Sequence, residues 1–247
     1  MNIKKYLDST YLKTAEQAGI SEEENREIVR KTVQEAIDEG FYLVMIRPEY
    51  VKMAREMIDA AGAQVKVGTV IDFPEGTRPW PVKIAEARKA IADGADELDF
   101  VVNYRAFKNG DLNLVRKEVF EGSLLGVKNG KIVKWIIEAA ALNDEQIAAL
   151  TRLIRDTVLQ TLGMKAAEKV FVKSSTGFYK TPDGSPSGAT IPRIKIMLEN
   201  AKPLPVKAAG GVRTNEDAVK MIRMGVKRIG TSSAKQIAEG DEAESDY

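Results

Sequence analysis

Eight short apolar runs alternate along this chain with longer amphipathic stretches, the pattern of repeated strand–helix units. The runs are YLDST, FYLVMI, QVKVGTVI, ELDFVV, KIVKWIIE, VFVK, LPVKAAGG and KRIGTSS. Between them the spacing predicts helices over 22–38, 49–61, 82–93, 111–126, 143–162 and 191–200, one capped by Thr214, and a last short one. Ser21 and Glu24 form a capping box ahead of the first helix, and Gly40 stops it. Strand–helix alternation calls for a parallel sheet with helices outside it, and eight units favour closure as a (β/α)₈ TIM barrel. The 247 residues suit one such barrel, with a short mobile tail from about 240 to 247. No GxGxxG follows the first strand, which argues against an open dinucleotide-binding sheet.

Composition removes several classes of function. A net charge of +1 offers no basic face for nucleic acid. No apolar run reaches membrane-spanning length and the start MNIKKYLDST lacks a leader's apolar core, so a cytoplasmic protein is expected. Cysteine and histidine are both absent, which is unusual for this length and raises the idea of engineering. Without histidine there is no Ser-His-Asp triad, no imidazole metal site and no imidazole base. Catalysis has to run on Lys, Asp, Glu, Tyr or backbone groups; a carboxylate-only Mg²⁺ site stays open, though no cofactor or metal is expected.

Strand alternation sorts the charges. In KIVKWIIE, Val133, Trp135 and Ile137 suit the helix-facing side, leaving Lys134 and Glu138 inward. The same reading turns Glu97, Asp99, Lys173 and Lys207 into the lumen. A purely structural barrel core is mostly branched and apolar, so three lysines facing three carboxylates mark an active site or a set of buried ion pairs. A free lysine titrates at ~10.4, and a lowering by ~3 units takes ~4 kcal/mol of differential interaction. A neighbouring ammonium and desolvation both act in that direction, and Lys207 is placed to repel Lys173. The pair reads as a Schiff-base lysine beside a helper, with Asp99 as proton carrier.

A second constellation suits an anion. Ala208-Ala209-Gly210-Gly211-Val212-Arg213-Thr214 follows strand seven, and Gly230-Thr231-Ser232-Ser233 follows strand eight. Barrel phosphate sites commonly lie in these two loops, where glycine lets backbone N–H groups approach the oxygens. The alternative is a pair of ordinary capped turns.

The same stretches resemble the deoxyribose-phosphate aldolase family, lyases of carbohydrate catabolism. LDSTYLK is similar to the family's LDHTLLK, VKVGTVIDFPEG to VKVCTVIGFPLG, and DGADELDFVVN to DGADEIDMVIN. VKWIIEAAAL resembles LKVIIETCLL, FVKSSTGF resembles FVKTSTGF, VKAAGGVRT resembles VKASGGIRT, and RIGTSS is retained. The resemblance implies reversible joining of acetaldehyde to glyceraldehyde 3-phosphate through a Schiff base on Lys173. Lys207 would tune that lysine, and Asp99 with Lys134 would handle protons through water. Asp8, Thr10, Met45, Thr176 and Gly177 would lie at the substrate, with Gly210, Gly211, Val212, Arg213, Gly230, Ser232 and Ser233 at its phosphate. The terminal Tyr247 would reach the site on the tail, as in some relatives, and a homodimer is an expectation from the family alone.

Departures bear on the acceptor. Ser9 stands where the family commonly has histidine, Gly68 and Met45 where it commonly has cysteine, and Asp72 where it has glycine. The RPWP segment and the long loop over 177–190 would shape the mouth, as a lid or as surface variation. Two other readings therefore stand: an engineered Schiff-base aldolase taking unphosphorylated aldehydes, and a barrel that binds a sugar phosphate without turning it over.

Overall fold

The computed structural model describes residues 1–182, 184 and 186–240. Tyr247 and the rest of the tail from 241 lie outside the described residues, as do Asp183 and Ser185.

All eight predicted strands form. They are β1 (Leu7–Thr10), β2 (Leu43–Ile46), β3 (Lys66–Ile71), β4 (Glu97–Val101), β5 (Ile132–Ile136), β6 (Val170–Lys173), β7 (Val206–Ala209) and β8 (Arg228–Thr231). Each pairs in parallel with the next, and β8 returns to β1, so the sheet is a closed barrel. Closure leaves no sheet edge, and the helices cover the outer face. The structure is a (β/α)₈ TIM barrel.

The long helices fall where periodicity puts them. Glu22–Glu39 opens on the expected capping box: the Glu24 N–H donates to Ser21 Oγ at 3.2 Å, and the Ser21 N–H donates to Glu24 Oε2 at 2.8 Å. Trp80–Ala92 begins two residues before the expected start at 82, because Pro81 in the first turn lacks an N–H the helix would leave unpaired anyway. Short helices at Ala15–Ala18, Tyr104–Lys108 and Met164–Ala167 sit within stretches expected as connections. Each is only a turn or so long, too short for apolar periodicity to register. No helix among the described residues is long and apolar enough to cross a membrane.

Register follows the alternation. Leu98, Phe100, Val133, Trp135, Val170, Val172 and Val206 belong to the large apolar cluster under the helices. Trp135 stacks on Phe100 at 4.9 Å, and its indole N–H donates to Ser123 Oγ at 3.0 Å, which keeps the ring's polar atom paired in a dry layer. A smaller cluster of Leu12, Leu43, Met45 and Val70, flanked by Phe73 and Phe178, lies apart from it. The barrel interior is thus apolar along β2 and β3, and charged along β4 to β8 and β1.

Candidate active site

Asp99 is fully buried on β4, and three lysines converge on it. Lys134 on β5 donates to Oδ1 at 2.7 Å, while Lys173 on β6 and Lys207 on β7 both donate to Oδ2, at 2.8 and 3.1 Å. Lys207 also meets Asp8 of β1 at 2.5 Å, and Lys134 meets Glu97 at 2.5 Å. Arg228 closes the circuit, with Nε on Asp8 at 3.0 Å and Nη2 on Glu97. The result is a ring of alternating charge, Asp8–Lys207–Asp99–Lys134–Glu97–Arg228, with Lys173 attached at Asp99 alone.

Arg228 was legible and overlooked. In the run KRIGTSS, Ile229 faces the helices, so alternation turns Arg228 and Gly230 inward. Its guanidinium lies 3.6 Å from the centre of the Tyr42 ring, at one end of the lumen. Here a planar cation serves two carboxylates and an aromatic face, a task for which lysine has the wrong shape.

The balance of charge within this set decides which group yields its proton. Four cations touch three carboxylates, and Lys173 is the one cation with a single carboxylate partner. Burial and the positive neighbours Lys207 and Lys134 outweigh Asp99, and the Lys173 amine is pushed down to about 8. Burial is the largest cause; repulsion by Lys207, the expected agent, is smaller than the opposing attraction of Asp99, so desolvation decides the direction. Burial also disfavours a charged Lys134, but Asp99, Glu97 and Asp8 overcome it and hold that amine above the ordinary lysine range. For Asp99, burial opposes ionisation, yet the three lysines hold the carboxyl well below its usual range. Asp8 is likewise held low by Arg228, Lys207 and Lys134 against burial. One amine is therefore prepared to be neutral near pH 8 beside Lys134, Asp99 and Asp8, each held toward its charged form.

Lys173 opens into a cleft of about 110 Å³ at the C-terminal ends of the strands. This is smaller than the ~300–1,000 Å³ typical of drug-sized ligands, and it suits a short metabolite. Thr10, Thr176 and Gly177 line it, as do Gly210, Gly211, Val212 and Arg213 on one loop and Gly230 and Ser232 on the next. Thr231 ties those loops together by donating its hydroxyl to the Val212 carbonyl at 2.9 Å. Ser233 lies just off the cleft, its N–H donating to Thr231 Oγ1 at 3.0 Å. Met45 is fully buried in the smaller apolar cluster rather than in the cleft wall. A larger groove of about 690 Å³ near Pro203 and Met224 contains no member of the charged ring.

Both mouth segments are tied down. The long loop lies on the Gly210 loop: the Ala189 N–H donates to the Gly210 carbonyl at 2.8 Å, and Arg193 Nη1 donates to the Pro186 carbonyl at 2.6 Å. A Cβ on Gly188 would stand 1.9 Å from the Gly210 oxygen, so this approach needs glycine. The loop brings Ser187 to the cleft, a contribution that sequence distance hides. In the other segment Asp72, at φ 54, accepts from the Arg78 N–H at 2.9 Å and from Arg78 Nε at 2.7 Å. Buried Lys83 donates to the Gly76 and Val101 carbonyls and to Glu118, at 2.9, 2.8 and 2.7 Å.

The remaining lumen carboxylate, Glu138, stands apart from the ring. Thr176 donates to its Oε2 through both the hydroxyl and, at 3.3 Å, the backbone N–H. Burial pushes this carboxyl up to about 7, against the pull of Thr176 and Lys173.

Comparison with known proteins agrees with this geometry. Residues 12–236 match the DeoC/LacD family aldolase profile. The chain is 41% identical to the deoxyribose-phosphate aldolase of Thermococcus gammatolerans, over 97% of this chain and 96% of that one. It is 39% identical to the deoxyribose-phosphate aldolase of Staphylococcus haemolyticus over the whole of both chains. Among solved structures it superposes on an aldolase designated QR15 with a TM-score of 0.78 and 34% identity, over 97% of this chain and 95% of the other. The tetrameric deoxyribose phosphate aldolase of Aeropyrum pernix gives 0.76 and 31%, over 96% and 89%. A buried lysine poised for neutrality, a small cleft with glycine-rich loops and full-length similarity converge: this chain belongs to the DeoC/LacD aldolase family.

Proposed function

We propose that the protein is a 2-deoxy-D-ribose 5-phosphate aldolase that works through a Schiff base on Lys173. The observation that carries this reading is the Lys173 amine, buried, bound to a single carboxylate and pushed down to about 8. The neutral amine adds to the acetaldehyde carbonyl, and the carbinolamine loses water to give an iminium. The iminium withdraws electrons from the methyl carbon, which gives up a proton to leave an enamine. That carbon bonds to the aldehyde carbon of glyceraldehyde 3-phosphate, whose oxygen takes a proton. Water then releases the sugar phosphate and regenerates the amine.

Asp99 touches Lys173 and is placed to relay these protons through water, with Lys134 fixing its other oxygen. Lys207 adds repulsion to Lys173 while Asp8 anchors it. The loops at Gly210–Arg213 and Gly230–Ser232 hold the phosphate away from the reacting carbon, so binding energy remote from the chemistry orients the aldehyde. The scheme uses neither metal nor cofactor, and it belongs to sugar-phosphate breakdown in the cytoplasm. The tetramer of the Aeropyrum pernix relative supports self-association, for which a homodimer is our expectation.

Borohydride reduction in the presence of acetaldehyde tests the reading. Mass spectrometry should find an ethyl group on Lys173; an unmodified Lys173 overturns it. Turnover of acceptors with and without phosphate then tests the assignment of the two loops.

A further inference from the structure

Glu138 follows β5 by two residues, in the left-handed region at φ 50. Backbone bonds on either side lock it to the end of β6: the Ile137 N–H donates to the Lys173 carbonyl at 3.0 Å and the Ala139 N–H to the Ser174 carbonyl at 2.9 Å. A non-glycine residue held at positive φ by such bonds aims its side chain in a direction that regular strand geometry would not. Here it aims at the segment beyond the nucleophile. Oε2 takes both Thr176 donors, and the Thr176 hydroxyl oxygen in turn accepts the Phe178 N–H at 3.0 Å. Thr176, Gly177 and Phe178 all line the cleft. The second oxygen, Oε1, is buried and without a hydrogen-bond partner among the described residues.

We infer that Glu138 is a positioning residue of the aldolase site: as a carboxylate it clamps Thr176, and through Thr176 it holds the Thr176–Phe178 wall against the substrate. The inference rests on the Schiff-base reading above and adds a residue to it. An ionised acceptor makes hydrogen bonds roughly twice as strong as a neutral one. Both donors of Thr176 fall on one oxygen, so protonation of the carboxyl weakens them together. The surrounding charges set when this happens. Lys173 on β6 favours the carboxylate, whereas Glu75 in the turn after β3 disfavours it and is itself paired with Arg105 at 2.5 Å. Tyr104, in the short helix after β4, is a further titratable neighbour. The wall is therefore firm above neutrality and loosens in mild acid.

The experiment measures kcat and KM for 2-deoxyribose 5-phosphate from pH 5.5 to 9 in the wild type, Glu138→Gln and Glu138→Ala. In the wild type two groups must be deprotonated, Lys173 and Glu138, and log kcat/KM should fall below pH 7 with a slope of two. Glutamine is a neutral acceptor, like the protonated acid, and cannot ionise, so Glu138→Gln should show at pH 8 the raised KM that the wild type shows only in mild acid, together with a slope of one. Glu138→Ala should raise KM at least tenfold at pH 8 with kcat within threefold. A Glu138→Gln slope equal to wild type, or a wild-type KM in Glu138→Ala, overturns the inference. Borohydride trapping of Lys173 should persist in both variants. Loss of trapping in the wild type itself counts against the Schiff-base reading, while KM in Glu138→Ala still decides the positioning role.

Discussion

Lys173 and Lys207 donate to the same oxygen of Asp99, at 2.8 and 3.1 Å. Two ammonium groups on one carboxylate oxygen cannot be equally well compensated. Lys207 has a second anion in Asp8, whereas Lys173 has none, so the proton is lost from Lys173. Replacing Lys207 by methionine removes the repulsion but leaves burial, the larger cause, in place. The Lys173 amine should then titrate about one unit higher, and trapping at pH 7 should slow about tenfold. A pH series of borohydride trapping checks this, with the deficit shrinking above pH 9.

Asp99→Asn should be the most damaging single change in the lumen. It leaves three buried ammonium groups without their common anion. Removing one partner of a buried ion pair typically costs ~3–5 kcal/mol. Urea unfolding should show a loss in that range, with activity abolished in whatever fraction folds.

Glu138 makes stability depend on pH in a direction opposite to the usual surface carboxylate. Its folded-state value of about 7 lies above the ordinary 4.5. The unfolded chain therefore releases this proton first. The stabilisation is complete below pH 4.5 and is lost as pH rises through about 7. Against Glu138→Gln, the wild type should lose about 3 kcal/mol of unfolding free energy between pH 4.5 and pH 8. Parallel urea titrations at both pH values measure it.

Gly188→Ala should separate phosphate binding from chemistry. The added Cβ meets the Gly210 oxygen at 1.9 Å, a backbone atom that cannot swing aside. The 177–190 loop should lift from the Gly210 loop, and KM for the phosphorylated sugar should rise at least tenfold. Trapping of acetaldehyde on Lys173, which needs no phosphate, should stay within twofold of wild type.

Met45 and Gly68 fill one space between them. A Cβ at position 68 would lie 2.6 Å from Met45 Cε and 2.9 Å from Leu43 Cδ2. Overpacking of this kind costs ~1–3 kcal/mol. Gly68→Ala should lose that much in thermal or urea unfolding, and Met45→Val should restore most of it in the double variant. Additive losses would mean that the two side chains do not share the space.

The barrel and the direction of its inner charges follow from residue pattern along the chain. Eight alternating units leave few topologies, and a period of two commits each strand residue to one face once its apolar neighbours are assigned. Lys134, Lys173, Lys207, Asp99 and Glu97 were legible for that reason, as Arg228 was in the same alternation. The missing histidine narrowed the chemistry before any contact was known. Which charges pair is set by the folded geometry. Ring closure brings residue 8 against residues 207 and 228, and no pattern along the chain encodes that geometry. Only the fold leaves Lys173 with one anion where Lys134, Lys207 and Arg228 have two, and buries it deeply enough for desolvation to lead. Glu138 was readable as an inward carboxylate, but its grip on Thr176 depends on a left-handed backbone at one residue, a local choice that glutamic acid does not advertise. Residue identity and period thus chose the inward set; proximity and burial chose which member reacts.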